Sequence, residues 1–339
     1  MTALSIIRLL PRIAKTINGE MLFKGEDLLN KNESEMRKII SERKQDKPVT
    51  PEPTTKRKKS ETEYEKNIMA LLQISEPGQT TAPHQHRNAI GVDLGTTNCA
   101  LSYVDLAAGE DQAGRQQTLP VPQLTGPGAV EERSLLPSFL YLPHPDEMAP
   151  GDLVLPWGAQ PDFVVGELAR ERGAQTPIRL VSSAKSWLCH AGVDRRAAIL
   201  PQEAPEEVPH NSPLDASIRY LEHLRDAWNH EHPDAPLVDQ ELTITIPASF
   251  DPAARELTAE AARTAGYQRL TVLEEPQAAL YSWIQSSEGA WREQVQVGDI
   301  ILVVDVGGGT TDLSLIAVIE TDGNLELHRI AVGDHILLG

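Results

Sequence analysis

From residue 88 onward the chain alternates short apolar runs with segments whose apolar positions recur every three or four residues, the pattern of an α/β fold. Ala89 to Val92 reads as a small strand that stops on Asp93, and Ile300 to Val304 as a continuous apolar run that stops on Asp305. Each then turns on glycine and meets a second apolar stretch, Ala100 to Val104 in one case and Leu313 to Ile319 in the other. The same hairpin is written twice. Leu325 to Val332 adds a third strand to the second copy. Leu242 to Ile246 alternates as a strand and ends at Pro247, which has no ladder donor to offer.

Helices are punctuated clearly. Ser212-Pro213-Leu214-Asp215 reads as an N-cap, a first-turn proline and a capping-box acid, after which Leu214, Ile218, Leu221 and Trp228 share one face. Asp251-Pro252 opens another helix that stops at Gly266. From Ala107 to Pro161 glycine, proline and glutamine are frequent, which predicts a loop-rich stretch with one strand over Ser138 to Leu142.

The first 87 residues read differently. MTALSIIRLLPRIAKTI sets Arg8, Arg12 and Lys15 among aliphatics, as an organellar presequence or an interfacial helix does, but Pro11 interrupts the pattern and the next seventy residues are unlike a cleavable leader. Lys44 to Lys66 is charged and rich in Pro and Thr, with too few apolar groups to offset its ordering entropy, which predicts disorder. A short helix is expected over Tyr64 to Ile74. The basic run Lys56-Arg57-Lys58-Lys59 reads as a solvated charge run, and His84 and His86 as linker residues rather than a metal chelate. Lysine usage marks the join: ten lysines precede position 67 and one, Lys185, follows it. The segment looks like an appendage of different compositional origin.

Charge narrows the function classes. Residues 1–86 carry 15 Lys/Arg against 12 Asp/Glu, and the remainder 16 against 37, a balance opposed to nucleic-acid binding by the folded part. Cys99 and Cys189 have neither disulfide-framework nor zinc spacing, and no apolar run approaches the roughly 20 residues of a membrane span. A reducing, cytoplasmic setting fits best.

The two turns carry the chemistry. Several N–H donors converge on a phosphate only where the chain turns tightly with no Cβ in the way, and Gly95 and Gly307-Gly308-Gly309 supply such turns. Thr96, Thr97, Thr310 and Thr311 add hydroxyls. Asp93 and Asp305, at the strand ends, place carboxylates beside the anion, which is unfavourable unless hydrated Mg²⁺ lies between. With no Walker A motif and no GxGxxG after a strand, neither a P-loop nor a dinucleotide site is supported.

GVDLGTTN, AKSWL, LTITIPASFDPAARELTAEAARTAGY, LEEPQAALY and ILVVDVGGGTTDLSL resemble, in order and rough spacing, the nucleotide-binding domain of the DnaK-type (70-kDa heat-shock) chaperone family, in a divergent bacterial-type branch. The resemblance covers residues 89–339. It implies an actin-like ATPase (ribonuclease H-like) fold, with a non-globular, partly helical and largely disordered extension over 1–87, lobe I near complete over 88–295 and a truncated lobe II over 296–339. It implies ATP and Mg²⁺ as ligands, Asp93 and Asp305 holding the metal through water, and Gly95, Thr96, Thr97, Asn98, Gly307, Gly308, Gly309, Thr310 and Thr311 around the phosphates. Lys185 would contact the γ-phosphate and the attacking water, with Glu275 and Asp312 as acids beside that water. Pro247 and Arg255 would relay nucleotide state toward a peptide-binding domain. The partners implied are unfolded polypeptides, a J-domain co-chaperone and a nucleotide-exchange factor, with slow ATP hydrolysis as the activity.

A lobe II of three strands would leave apolar faces without partners and impair ATP binding, so a fragment is expected. A small-molecule kinase of the same superfamily and a non-enzymatic truncated paralogue remain the alternative readings.

Overall fold

Strand and helix signals place the elements well, and the differences fall where the signals are weak. The computed structural model describes residues 4–10, 22–23, 26–27, 87–106, 116–158, 161–190, 192–287, 290–308, 310–321, 324–333 and 336–337. The first strand, β1 (Leu4–Leu10), lies in the extension read as partly helical and largely disordered. An apolar run of this length suits either period, and here the free edge of a later strand supplies its backbone partners. Leu22–Phe23 and Glu26–Asp27 pair as a small hairpin. The expected disorder over 44–66, the helix over 64–74 and the histidine pair at 84 and 86 lie outside the described residues.

In the first large sheet, β2 (Asn88–Leu94) pairs antiparallel with β3 (Asn98–Asp105), so the first hairpin forms as the sequence predicts. The stretch from 107 to 161 holds more structure than expected: β4 (Val121–Gly126) and β5 (Ala129–Arg133) form a hairpin. Within 138–142 only Leu140–Tyr141 is paired, with Val164–Val165 and Leu180–Val181. Helix α1 (Glu167–Gln175) buries Leu168 and Ala169 against Leu124, Tyr141 and Val164. Helix α2 (Ala184–Cys189) follows Ser183, whose φ of 54° is a left-handed conformation that L side chains seldom adopt.

Helix α3 (Pro213–Glu231) begins with the expected capping box, the Ser212 Oγ accepting from the Asp215 amide at 2.9 Å and the Asp215 carboxylate from the Ser212 amide. Its buried face carries Leu221, Leu224 and Trp228 into a core shared with Ile90, Val92 and Leu94 of β2 and with Ile244 of β6 (Glu241–Ile246). The Trp228 indole donates to the Ala235 carbonyl at 2.8 Å, so its one polar atom is satisfied in the core. His223 is buried against the Pro122 carbonyl at 2.9 Å, and burial pushes its pKa down to about 4; the neutral ring ties α3 to β4.

Helix α4 (Pro252–Thr264) follows β6 and stops before Gly266, at φ 97°. Its cap is an ion pair as well as a hydrogen-bond acceptor. The Asp251 Oδ1 accepts from the Ala254 amide at 2.6 Å, while Arg195 donates to both carboxylate oxygens at 2.9 and 2.6 Å. The Arg195 contact, joined by the helix amides, holds the Asp251 pKa down to about 2. A depressed carboxylate stabilises the fold above the unfolded value near 3.8, and that contribution is lost as pH falls through about 2. Asp251→Ala removes the cap and strands Arg195, which is 9% exposed, and is expected to lower stability by about 2–3 kcal/mol. Asp251→Asn keeps an acceptor, and because the carboxylate is 41% exposed the lost charge should cost only about 1 kcal/mol. Urea denaturation of both variants checks the order, and equal losses would contradict this account of the cap.

Next, β7 (Leu270–Glu274) joins the sheet and runs straight into α5 (Glu275–Ser286), followed by α6 (Trp291–Gln294). The strand order is β7-β6-β2-β3, with β6 parallel to both neighbours and Gln117–Thr118 beyond β3.

The second large sheet contains β8 (Ile300–Val306), β9 (Thr310–Thr321) and β10 (Asn324–Val332), antiparallel in sequence, with Ile336–Leu337 also on β9. Its other edge is β1, paired antiparallel with β8 from Leu4 opposite Val306 to Leu10 opposite Ile300. The expectation that the apolar faces here lack partners is overturned on one side. Ile301, Val303, Ile316 and Val318 pack against Leu280 of α5 and Trp291 of α6, with Trp283 and Ile284 alongside. The covering helices come from residues counted with lobe I.

No helix among the described residues is long and apolar enough to cross a membrane.

Candidate functional site

The two hairpin turns meet. A Cβ placed on Gly308 would lie 2.3 Å from Thr97 Cγ2 and 2.4 Å from its Oγ1, so the second turn is pressed against the Thr97 side chain of the first. A Cβ on Gly95 would fall 2.2 Å from the Asn98 carbonyl oxygen. Close approach, rather than a positive φ, explains both glycines. Ser138, which carries no motif in the sequence, braces the first turn: its Oγ donates to the Gly95 carbonyl at 2.7 Å and its amide to the Thr97 carbonyl at 2.9 Å. Asn98 donates to Thr97 Oγ1 at 3.3 Å. Thr96, Thr311 and Gly307 stand at the same two turns, half-buried. Gly309 and the side chain of Thr310 lie outside the described residues.

Acids gather where the apolar rows of the second sheet end. Asp305 on β8 is register partner to Asp312 on β9, and directly opposed residues of an antiparallel pair share a face. That face is the one whose Ile301 and Val303 lie under α5. Glu275, the first residue of α5, therefore arrives beside Asp305, with the positive end of the helix favouring its charge. From the first sheet comes Asp93, exposed at the end of β2 and receiving the Thr245 hydroxyl at 3.3 Å.

Lys185 supplies the positive charge. Its Nζ donates to Glu275 Oε1 at 2.6 Å, with side chains 11% and 15% exposed. Burial opposes the Lys185 ammonium, but Glu275 and Asp93 outweigh it and hold its pKa above the ordinary value. Burial also pushes Glu275 up to about 7, with Asp93 and Asp305 adding to the rise and Lys185 opposing it. Asp305 is raised for the same reasons, burial first and Asp93 next. Cys99, buried beside Ser138 at 3.2 Å, is pushed up to about 12 by burial and is a packed thiol rather than a nucleophile.

One buried atom lacks a partner here: Asp305 Oδ1. Asp93, Asp305, Asp312 and Glu275 gather here with Lys185, and a hydrated divalent ion would fit the orphaned oxygen of Asp305. Among the described residues no three His, Cys, Asp or Glu groups are placed to ligate a metal directly.

Pro247 is buried at the end of β6, and Arg255 on α4 closes the turn that follows, donating to the Phe250 carbonyl at 3.1 Å and the Ala248 carbonyl at 3.3 Å. Arg255 also pairs with Glu274 at 2.6 Å, and Arg329 of β10 meets the same carboxylate. Glu274 thereby links α4 to β10, a contact that no motif in the sequence announces.

Comparison with known proteins agrees with the geometry. The family model described as Hsp70 protein matches residues 203–337. The chain is 34% identical over 259 residues to the chaperone protein HscA of Salmonella paratyphi C, covering 73% of this chain and 35% of that protein. It is 35% identical over 262 residues to the chaperone protein HscA homolog of Actinobacillus pleuropneumoniae serotype 5b, with the same coverage. The chain thus spans about a third of the length of the curated relatives it matches. With these sequence matches lying over a mixed α/β fold whose paired hairpins meet at Thr97 and Gly308, the chain belongs to the Hsp70 family.

Proposed function

We propose that this chain binds Mg·ATP between its two glycine turns and hydrolyses it slowly, as the nucleotide-binding part of an Hsp70-type chaperone. The observation that carries the reading is the buried Lys185–Glu275 pair at 2.6 Å beside Asp93 and Asp305, where Gly308 packs closely against Thr97.

The turns at Gly95 and at Gly307 to Gly309 offer backbone N–H groups to phosphate oxygens, and Thr96, Thr97, Thr310 and Thr311 add hydroxyls. Asp93 and Asp305 would hold magnesium through its waters, which supplies charge neutralisation for the phosphates. Lys185 places its ammonium at the γ-phosphate and orients the attacking water. Glu275, with a pKa near 7, can take a proton from that water or orient it as a carboxylate, and Asp312 stands with Asp305 on the same face. No covalent intermediate is needed, since positioning and charge supply the acceleration. Pro247 and Arg255 would pass nucleotide state onward to a peptide-binding partner domain. Unfolded polypeptides, a J-domain protein and an exchange factor in the cytoplasm complete the reading.

Thermal melting of the 339-residue chain tests it. At Mg·ATP about a hundred times Kd, linkage contributes about 2.7 kcal/mol, which should raise Tm by roughly 5 °C or more. Chelating the magnesium should return Tm to its starting value. No shift with Mg·ATP, or the same shift with ATP in excess chelator, would contradict the proposal.

A further inference from the structure

Ser249 has no part in any motif that resembles the family's phosphate turns, yet it touches the site. Its Oγ donates to Asp312 Oδ1 at 2.8 Å, from the turn after β6 in the first sheet to β9 in the second. The two residues lie 63 positions apart, so neither local sequence nor helix geometry makes the contact. The hydroxyl is held in place by its neighbours. The Phe250 amide donates to the Pro247 carbonyl at 3.2 Å, and Arg255 clamps the Ala248 and Phe250 carbonyls on either side of Ser249.

The partner carboxylate needs such a fixture. Asp305 and Asp312 are opposed on one face, both short of solvent; the Asp305 pKa is raised, by burial first and Asp93 next, with Asp312 adding to the rise. A hydroxyl donated to Asp312 holds the carboxylate in one rotamer. It leaves the orphaned Oδ1 of Asp305 to the hydrated cation. The Ser249 contact thus distinguishes the surroundings of Asp312 from those of Asp305.

We infer that Ser249 is a positioning residue for hydrolysis: it orients Asp312 toward the attacking water and ties that orientation to the Pro247–Arg255 turn. The inference rests on the nucleotide-hydrolysing reading above. Ser249 is not among the residues proposed to hold phosphate or metal, so its loss should leave nucleotide affinity alone and slow the chemical step.

Single-turnover hydrolysis of Mg·ATP by the 339-residue chain, with the Kd measured in parallel, separates the cases. Ser249→Ala is expected to slow the step about 10-fold with Kd within about twofold, since small misplacements of a catalytic group cost this much. Ser249→Thr keeps the hydroxyl and should recover most of the rate. A rate unchanged in Ser249→Ala overturns the inference, as does a loss carried by Kd, or a Thr variant as slow as the Ala variant with an unchanged melt. Failure of the functional reading looks different. In that case the unsubstituted chain neither binds nor turns over Mg·ATP, and this inference falls with it.

Discussion

Lys185→Ala is expected to reduce ATP hydrolysis by about 10²–10³-fold, the cost of removing one preorganised donor from a developing charge. The effect should be large because Lys185 does two things. Its ammonium contacts Glu275 at the turns, and that 2.6 Å contact opposes the effect of burial on Glu275. Without it, the Glu275 pKa rises further above about 7, and at neutral pH the residue becomes a protonated acid unable to accept a proton. Protonation also limits the stability loss, since no buried charge is left alone. The melt should therefore move much less than the rate. Single-turnover hydrolysis with denaturation of the same samples checks both. Activity like that of the unsubstituted chain would remove Lys185 from the mechanism, and a collapse of the melt would make the residue structural.

How much of this was legible in the sequence follows from the range of the interactions. The repeated hairpin could be read because each apolar run ends on an acid and turns on glycine within a few residues; β2–β3 and β8–β9 form accordingly. Capping is local too, and Ser212 and Asp251 cap as read. The hairpin of β4 and β5 was not legible. Every residue of β5 is exposed, so it shows no period of two, and Pro122 interrupts β4. For β1, the run LSIIRLL has no period that separates strand from helix. Long-range polar contacts were invisible for a further reason. Ser138, Thr245 and Ser249 are single hydroxyl residues whose partners, Gly95, Asp93 and Asp312, are set by the packing of strands far apart in the chain. The charge of Glu274 could be read, but its two arginine partners on α4 and β10 could not.

The glycines allow a sharper test than the charged residues, because the two turns resist a Cβ for different reasons. At Gly95 the obstacle is backbone: the new atom would lie 2.2 Å from the Asn98 carbonyl oxygen, which no rotamer change can move. The turn must open, against the two hydrogen bonds from Ser138 that hold it. Opening it disperses the amides meant to converge on phosphate. Gly95→Ala is thus expected to weaken Mg·ATP binding by about 10²-fold, roughly the loss of two or three hydrogen bonds to a charged group. At Gly308 the obstacle is the Thr97 side chain, which can rotate or be shortened. Gly308→Ala should weaken binding less, and adding Thr97→Ser to it should recover part of the loss, whereas Thr97→Ser cannot rescue Gly95→Ala. Titration with a fluorescent ATP analogue in Mg²⁺ measures all four variants. Nucleotide affinity within threefold of the unsubstituted chain in Gly95→Ala would show that the first turn does not hold the phosphates.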